Sequence, residues 1–349
     1  MQLLIIIPKQ PSTTGNHVTA KRFVSRLRPQ GWEARIVETE PDSPQQILQA
    51  LQRQTPHALL LLHAYRSGQP WLAANTPAEL PVALLMTGTD LNEDCHNPLR
   101  AEVIQRVRKR VAVVIVQNHL SYEQLRQSAN PLPTKLRLLP PGIRLGRQSY
   151  PLRKKLCLDD KVPVMLHPAG IRTVKGNLEL LSMCDQLAEQ QLPFQLAFCG
   201  PILEQAYAKT LFSRLETRPW ADYLGEIPKM AIADTMRQAD IILNNSTSEG
   251  IANALVEAAA LGRPILASDI IGNRAVVKNG SNGLLFGDAK EFSRQAAQLL
   301  TDKQLRKQLS QAESFLYSAD RESAQLAKIL NEICAKTKSP AKKLSVGYE

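Results

Sequence analysis

The sequence has few aromatic residues and no long apolar segment. Aromatic side chains make up 5% of its 349 residues, and no stretch reaches the about 18 apolar residues that a membrane-spanning helix requires. The apolar run at Met1–Pro8 is too short for a signal peptide and lacks the basic residues that precede one. We therefore expect a soluble protein of the cytoplasm.

The chain also lacks the common patterns for disulfides, metals and dinucleotides. Its five cysteines include no C-x-x-C pair, and its six histidines show no metal-ligand spacing. No Asp-x-Asp pair follows a predicted strand, where it would chelate a divalent cation on a diphosphate. The G-x-G-x-x-G fingerprint and the G-x-S-x-G elbow are both absent. The sequence thus predicts reduced thiols, no metal and no other cofactor.

The charge of the chain favours polyanionic partners. The formal net charge is +11 and the pI is about 9.5, which suits nucleotide phosphates, anionic lipid or nucleic acid. Basic residues cluster at 106–110 (R-V-R-K-R) and 152–156 (L-R-K-K-L). Solvated helix faces are the favoured interpretation of both runs, while peripheral contact with an anionic membrane stays open. Aromatic residues do not interleave with them, so we expect no nucleic-acid partner.

Short apolar runs alternate with helix-like segments along the first part of the chain. A run such as A-L-L-L-L at 58–62 is typical of a strand buried on both faces, which predicts a parallel sheet covered by helices. The predicted strands are Leu3–Ile7, Glu33–Val37, Ala58–His63, Val82–Met86, Val111–Val116 and Leu136–Leu139. The predicted helices are Val18–Leu27 and Pro44–Gln54.

A second alternating series follows P-P-G-I at 140–143, which we interpret as a linker. Its predicted strands are Val162–Pro168, Gln195–Gly200, Tyr223–Gly225, Ile241–Asn244, Ile265–Ser268 and Leu284–Phe286. Its predicted helices are Gly176–Gln190, Leu203–Leu215, Lys229–Arg237, Ala252–Leu261, Ala289–Thr301, Lys303–Tyr317 and Ser323–Ala335. We therefore predict two doubly wound α/β domains, at 1–143 and 144–320, then a helix at 321–336 and a disordered basic tail at 337–349.

The most informative block reads S-T-S-E-G-I-A-N-A-L-V-E at 246–257. Glu249 and Glu257 stand with seven residues between them across a predicted helix start, directly after a buried-type strand. Free N–H groups and the macrodipole favour anions at a helix N-terminus, and ligands bind at this edge of a parallel sheet. Carboxylates beside such a site suit a ligand rich in hydroxyls. The block therefore predicts a sugar-nucleotide site.

The block continues into G-R-P-I-L-A-S-D-I-I-G-N and N-G-S-N-G-L-L-F, and the whole resembles the retaining glycosyltransferases of family 4, with their "glycosyl transferases group 1" domain. T-G-T-D-L-N-E-D (87–94) and I-R-T-V-K-G (171–176) resemble the glycosyltransferase 1 domain-containing group in particular. G-N-H-V-T-A and H-A-Y-R-S are similar, more weakly, to bacterial selenosugar synthases. The resemblance implies a GT-B fold, in which two Rossmann-like parallel-sheet domains face a cleft and the last helix returns to the first domain.

The resemblance implies that the nucleotide sugar lies on the C-terminal domain. Glu249 would contact donor-sugar hydroxyls beside the reacting carbon and Glu257 the ribose hydroxyls, because carboxylates accept charge-assisted hydrogen bonds. The backbone N–H groups of Gly250, Ile251 and Ala252 would bind the diphosphate or the sugar. The alternative is that Glu249 caps its own helix and Glu257 is a solvated helix residue.

A leaving nucleoside diphosphate needs positive charge, which Arg and Lys supply in the absence of a metal. Lys175 occupies the family's lysine position. The family's arginine comes five residues earlier, where this chain has Gly170, and Arg172 stands three residues before the lysine instead. We predict Lys175 and Arg172 as catalytic cations, with a surface loop arginine as the alternative for Arg172.

The resemblance also implies contacts from the first domain. Gly15 and Asn16 follow the first strand through a polar loop, where a glycine permits close approach to the donor phosphate. His63 and Asp90 lie at the ends of strands and would face the cleft, and the resemblance places a catalytic or sugar-binding group near Asp90. A satisfied strand-end histidine and a loop-capping aspartate are the alternatives.

These features predict a metal-independent retaining glycosyltransferase of the hexosyltransferase type. Its partners would be a nucleotide-sugar donor, UDP-linked by resemblance, and an acceptor that the sequence does not identify. A selenosugar or thiosugar synthase would use the same donor site. A non-catalytic nucleotide-sugar-binding protein is the alternative from another class.

Overall fold

The structure, a computed structural model, describes residues 1–10, 15–127, 135–159, 161–312 and 316–338. The strands in this part of the chain form two six-stranded sheets, and all of their pairings are parallel. The chain divides into two compact units. Unit 1 comprises Met1–Gln117, Ser121–Leu139 and the chain from Asp320, and unit 2 comprises Asn118–Leu120 and Pro140–Ala319.

The sheet of unit 1 has the strand order β2-β1-β3-β4-β5-β6. Its strands are β1 (Gln2–Pro8), β2 (Glu33–Thr39), β3 (Ala58–Leu62), β4 (Val82–Leu85), β5 (Val113–Val116) and β6 (Lys135–Leu138). The helices between them are α1 (Gly15–Leu27), α2 (Gln45–Arg53), α3 (Gly68–Ala73), α4 (Gly88–Asn92), α5 (Pro98–Arg110) and α6 (His119–Arg126). Along β1, Leu3, Ile5 and Ile7 enter one hydrophobic core and Leu4 and Ile6 enter another. This alternation explains the unbroken apolar run, since successive side chains point to opposite buried faces.

The sheet of unit 2 has the order β12-β11-β10-β7-β8-β9. Its strands are β7 (Val164–Pro168), β8 (Gln195–Cys199), β9 (Ala221–Tyr223), β10 (Ile241–Asn244), β11 (Ile265–Ser268) and β12 (Gly283–Phe286). Its helices are α7 (Leu152–Lys155), α8 (Asn177–Glu189), α9 (Gln205–Leu215), α10 (Ile232–Gln238), α11 (Asn253–Ala260), α12 (Ile271–Arg274), α13 (Ala289–Thr301) and α14 (Lys303–Gln308). Val164 and Leu166 pack in one core and Met165 in the other, so this sheet too is covered on both faces.

The last helix, α15 (Ala319–Lys338), packs on unit 1. Its Leu326 and Leu330 are fully buried in the core that holds alternate residues of β1. Arg22 of α1 forms two hydrogen bonds with the carboxylate of Glu322, at 2.6 and 2.9 Å. Because the carboxylate is 1% exposed and bidentate pairing is strong, this contact fixes the helix to unit 1.

Each predicted strand overlaps a strand of the structure, and several predicted elements differ from it in extent. β9 covers Ala221–Tyr223 where the sequence predicted Tyr223–Gly225, because the strand pairs with β8 and Gly225 turns the chain at a φ of +76°. Of the helix predicted at Lys303–Tyr317, α14 covers Lys303–Gln308, and the described residues 309–312 and 316–317 are not helical. Of the predicted basic tail, residues 339–349 lie outside the described part of the chain.

Two further observations concern membrane-spanning helices and the two basic runs. Within the described residues, no helix combines the length and the apolar character needed to cross a bilayer. The basic runs also make contacts inside their own units: Arg110 donates to Thr76 O at 2.6 Å, and Arg153 pairs with Asp240 at 2.9 Å. Part of each run therefore stabilises the fold.

Candidate active site

The strand order of unit 2 reverses between β7 and β10, which pair in parallel. β8 and β9 lie beyond β7, whereas β11 and β12 lie beyond β10. At such a switch point the loops that follow the two central strands diverge and leave a crevice for a ligand. Here these loops are residues 169–176 after β7 and 245–252 after β10. They carry Lys175 and Glu249.

Lys175 and Glu249 form an ion pair at this switch point. The lysine Nζ contacts Glu249 Oε1, and Ser246 Oγ donates a hydrogen bond of 2.8 Å to the same oxygen. The two charged side chains are 16% and 14% exposed. Because the pair is mostly shielded from water, its electrostatic attraction is screened less than that of a surface pair. The structure thus brings together two of the residues predicted from the sequence.

Backbone contacts hold the two loops together. Gly176 has a φ of +61°, and a Cβ on it would lie 2.5 Å from Asn245 O, so only glycine fits. Asn245 Nδ2 donates to Gly176 O at 2.9 Å, and Thr247 N donates to Val174 O at 3.0 Å. Lys175 is therefore presented from a loop that is tied to the loop of Glu249.

Arg172 lies in the same loop as Lys175, where the chain contacts the segment after β8. Thr173 donates to Glu204 Oε2 from its N–H at 3.1 Å and from its Oγ1 at 2.6 Å. These bonds and the Arg172 charge lower the pKa of the Glu204 carboxyl. Arg172 Nε is buried and has no hydrogen-bond partner among the described residues. Its guanidinium is therefore anchored less firmly than the Lys175 ammonium.

Gly170 stands where the family resemblance expects an arginine. A Cβ on Gly170 would lie 2.7 Å from Leu203 Cδ1, the end of an exposed side chain. A side chain at position 170 would therefore need this leucine to move.

The N-terminus of α11 presents backbone N–H groups at the same edge of the sheet. No side chain caps this helix, and the N–H groups of Gly250, Ile251 and Ala252 donate to no described residue. Unpaired N–H groups at a helix N-terminus form an anion-binding site. Gly250, Ile251 and Ala252, which the sequence predicted to contact the nucleotide sugar, thus follow Glu249 directly. Their N–H groups are available for hydrogen bonds to a ligand.

Glu257 is half-buried in α11. Its charge acts on Cys199, the last residue of β8, whose pKa is raised to about 12 by burial first and by Glu257 second. Both glutamates of the block therefore lie at the carboxyl edge of the sheet in unit 2.

The sequence did not identify the polar side chains that support the Glu249 loop. Asn273 of α12 donates to Asn244 Oδ1 at 3.1 Å and to Ser268 Oγ at 3.0 Å. Ser268 Oγ in turn donates to Ser246 O at 2.7 Å. The stretch S-D-I-I-G-N carried the family resemblance, but nothing in it indicated which side chains meet in space.

Asp90 is fully buried within unit 1. Its Oδ1 accepts hydrogen bonds from Thr87 N at 2.6 Å and Thr87 Oγ1 at 3.1 Å, and its Oδ2 accepts from Ala64 N at 2.5 Å. Burial raises the pKa of this carboxyl to about 7, although the hydrogen bonds act in the opposite direction. Both oxygens are engaged by the chain itself, which favours the loop-capping alternative.

His63 is also buried in unit 1, with a φ of +92°. Its Nδ1 accepts from Arg66 N at 3.1 Å, and its Nε2 lies 3.5 Å from Asp94 Oδ2. Arg100 pairs with the other oxygen of Asp94 at 2.7 Å. Burial, followed by the charges of the two arginines, lowers the pKa of His63 to about 3. The imidazole is therefore neutral, and its surroundings favour a structural role.

Gly15 and Asn16 form the first turn of α1. A Cβ on Gly15 would have no neighbour within 4 Å, so packing does not require glycine there. Residues 11–14, the preceding part of the predicted loop, lie outside the described residues. In the part of the chain that is described, no group of three or more His, Cys, Asp or Glu residues is arranged to hold a metal ion.

Comparisons with known proteins agree with this architecture. Residues 150–314 match the family model described as "Glycosyl transferases group 1". The chain is 26% identical over 304 residues to "Glycosyltransferase 1 domain-containing protein 1" of Xenopus tropicalis, covering 85% of this chain and 87% of that protein. Among solved structures it is similar to sucrose-phosphate synthase of Thermosynechococcus elongatus, with a TM-score of 0.80, 16% identity and coverage of 96% and 100%. It is also similar to Anabaena HepE, solved with UDP and glucose, with a TM-score of 0.72, 18% identity and coverage of 94% and 99%.

Proposed function

We propose that this chain, a glycosyltransferase with the GT-B fold and a glycosyl transferases group 1 domain, moves a hexose from a UDP-linked donor to an acceptor hydroxyl with retention of configuration. The reaction would need no metal ion, because the cations and N–H groups of unit 2 would neutralise the leaving diphosphate. The observation that carries the proposal is the ion pair of Lys175 and Glu249 at the switch point of the sheet.

Each group of the donor site would bind the part of the donor that complements its charge. The Lys175 ammonium and the N–H groups of Gly250, Ile251 and Ala252 would bind the diphosphate, with Arg172 as a second cation. Glu257 would accept hydrogen bonds from the ribose hydroxyls. Glu249 would accept hydrogen bonds from the sugar, beside the carbon that reacts. Crystals of HepE contain UDP and UDP-glucose, which supports a uridine nucleotide as the donor.

The reaction would break the bond between the anomeric carbon and the diphosphate oxygen. The acceptor oxygen would form its new bond on the face that the diphosphate leaves, and its proton would pass to a phosphate oxygen of the departing UDP. Lys175 would stabilise the charge that develops on that phosphate, which is the type of stabilisation that contributes most to such reactions.

We further propose that Asp90 and His63 shape the loops of unit 1 and do not contact the donor. Support comes from the three hydrogen bonds that the Asp90 carboxylate accepts and from the burial of both side chains. For Gly15 and Asn16, which begin α1, the proposed contact with the donor phosphate rests on the family resemblance.

A thermal-shift screen with nucleotides and sugar nucleotides tests the proposal, because a ligand that binds only the folded state raises the melting temperature. UDP and at least one UDP-sugar should stabilise the protein, and the Lys175→Ala variant should lose most of that stabilisation. If no uridine or guanosine diphosphate compound stabilises the wild-type protein, the donor-site proposal is wrong. If a donor does stabilise the protein, supplying that donor together with selenophosphate or a thiol distinguishes the selenosugar and thiosugar chemistries by product mass.

A further inference from the structure

We propose that Asn273 is a positioning residue that sets the orientation of the Glu249 carboxylate through Ser268 and Ser246. This inference rests on the proposed function, in which Glu249 contacts the donor sugar. Asn273 itself does not touch the carboxylate in this arrangement. It acts on the loop that carries Glu249.

Asn273 is anchored at the carboxyl end of β11. It is completely buried, and its side-chain NH2 contacts Asn244 Oδ1 at 3.1 Å, Ser268 O at 3.0 Å and Ser268 Oγ at 3.0 Å. These acceptors belong to the ends of two neighbouring strands, β10 and β11. One amide therefore joins the two strand ends from which the loops of the site depart.

The next contacts lead to Ser246, which is 1% exposed. Its N–H donates to Asn244 Oδ1 at 2.9 Å, and its carbonyl accepts from Ser268 Oγ at 2.7 Å. Asn244 Oδ1 and Ser268 Oγ, which form hydrogen bonds with the Ser246 backbone, thus also accept hydrogen bonds from Asn273. With its backbone held, Ser246 directs its hydroxyl to Glu249 Oε1 at 2.8 Å. The chain of contacts from Asn273 to the carboxylate is continuous.

A second contact from α12 bears on the backbone of Glu249. A Cβ on Gly272 would lie 2.4 Å from Glu249 O and 2.6 Å from Glu249 Cβ. The helix therefore approaches the glutamate as closely as glycine allows, and the residue after that glycine is Asn273. Gly272 of α12 thus packs against the backbone of Glu249, while Ser246 and Lys175 contact its Oε1. Contacts at both ends of the side chain therefore fix the position of the carboxylate.

The contacts of Asn273 affect the position of Glu249 more than the affinity for the donor. A catalytic group acts only within a narrow range of positions, and displacement by about 1 Å can cost on the order of 100-fold in rate. Loss of the Asn273 amide would leave Asn244 Oδ1 and the Ser268 carbonyl without this donor. The loop would then sample positions in which Glu249 no longer meets the sugar, while Lys175 and the α11 N-terminus would still bind the diphosphate.

The test compares Asn273→Ala with the matched control Asn282→Ala in the full chain. Asn282 is also buried in unit 2, and its side chain accepts a hydrogen bond from Lys278 N and donates one to Val276 O. The readout is hydrolysis of UDP-glucose, with kcat and KM measured separately. We expect Asn273→Ala to lower kcat by about 10- to 100-fold with KM changed less than about threefold, and Asn282→Ala to change both by less than about threefold.

Equal losses of kcat in the two variants, or unchanged kcat in Asn273→Ala, would overturn the inference. If Asn273→Ala does not fold, Ser268→Ala decides the matter, since it removes only the hydroxyl between Asn273 and Ser246 and is expected to lower kcat in the same way. Unchanged kcat in Ser268→Ala would then reject the proposal. Failure of the wild-type protein to bind or hydrolyse any UDP-sugar would instead reject the proposed function.

Discussion

Lys175 and Glu249 stand 74 residues apart in the chain, yet the lysine ammonium contacts Oε1 of the glutamate. The two side chains come from loops that follow neighbouring parallel strands, so the topology of the sheet creates the pair. The Glu249 carboxylate therefore pairs with the same Lys175 ammonium that would bind the diphosphate of a donor. Binding of a donor would therefore exchange one anionic partner of Lys175 for another.

Glu249→Gln is expected to separate binding from turnover. Removing the carboxylate charge frees the Lys175 ammonium for phosphate, so UDP should bind more tightly, by up to about tenfold, or about 1.4 kcal/mol. Turnover of the UDP-sugar should fall on the order of 100-fold, because the negative charge beside the reacting carbon and the charge-assisted hydrogen bond to the sugar are lost. Calorimetric titration with UDP and a hydrolysis assay measure the two effects. Weaker UDP binding, or turnover equal to that of the exposed control Glu216→Gln, would contradict this assignment.

Lys175→Ala is expected to weaken UDP binding by about 10- to 100-fold. A hydrogen bond to a charged group contributes about 1.5–3 kcal/mol, and the variant also leaves the Glu249 carboxylate without its cation beside the phosphate. Titration with UDP checks the loss. The matched control is Lys209→Ala on α9, where the lysine is exposed, and a similar loss in that variant would point to a nonspecific effect of net charge.

Arg172→Ala should weaken UDP binding less than Lys175→Ala does. The arginine lies beside Glu204, whose carboxyl has a lowered pKa, so part of its charge is already compensated. We expect a loss of about three- to tenfold, in the range of an exposed charge contact. The same titration decides the order of the two cations. A larger loss for Arg172→Ala would make the arginine the principal phosphate ligand.

His63 and Asp90 should give unit 1 two opposing pH dependences. The lowered pKa of His63, about 3 against 6.5, means that the unfolded chain takes up a proton as pH falls below about 6.5 while the folded chain does not. Folding is therefore destabilised by this group as pH falls from 6.5 to 4. The raised pKa of Asp90, about 7 against 3.8, destabilises folding as pH rises from 4 to 7.

The variant His63→Asn removes only the first of these effects. Relative to the wild type, its free energy of unfolding should rise as pH falls from 6.5 to 4, by at most about 1.4 kcal/mol per pH unit. Urea unfolding at a series of pH values measures the difference. A difference that stays constant over that range would mean that His63 titrates alike in the folded and unfolded chains.

The sequence predicted much of the fold because buried parallel strands leave a strong local pattern. The run at Ala58–Leu62 is apolar at every position, and the structure has a strand there with each residue buried. Short helices such as α4 and α12 were not predicted, since four or five residues are too few to show a helical period.

The candidate site was predicted in its charged groups but not in its supporting contacts. Glu249 and Lys175 belong to motifs that resemble a family, and the structure brings them into contact. Asn273, in contrast, meets Asn244 across 29 residues of sequence. Such a contact depends on which strands are neighbours in the sheet, and the sequence alone gave no order for them.

The most direct test of a retaining transfer at Lys175 and Glu249 is proton NMR of a UDP-linked sugar during turnover. The nucleophile is water, or an acceptor once one has been identified. We expect the wild-type protein first to release or transfer the sugar with the same anomeric configuration as in the donor, and we expect Glu249→Gln to slow this reaction greatly. Initial formation of the opposite anomer, or undiminished turnover by Glu249→Gln, would contradict a retaining transfer centred on Lys175 and Glu249.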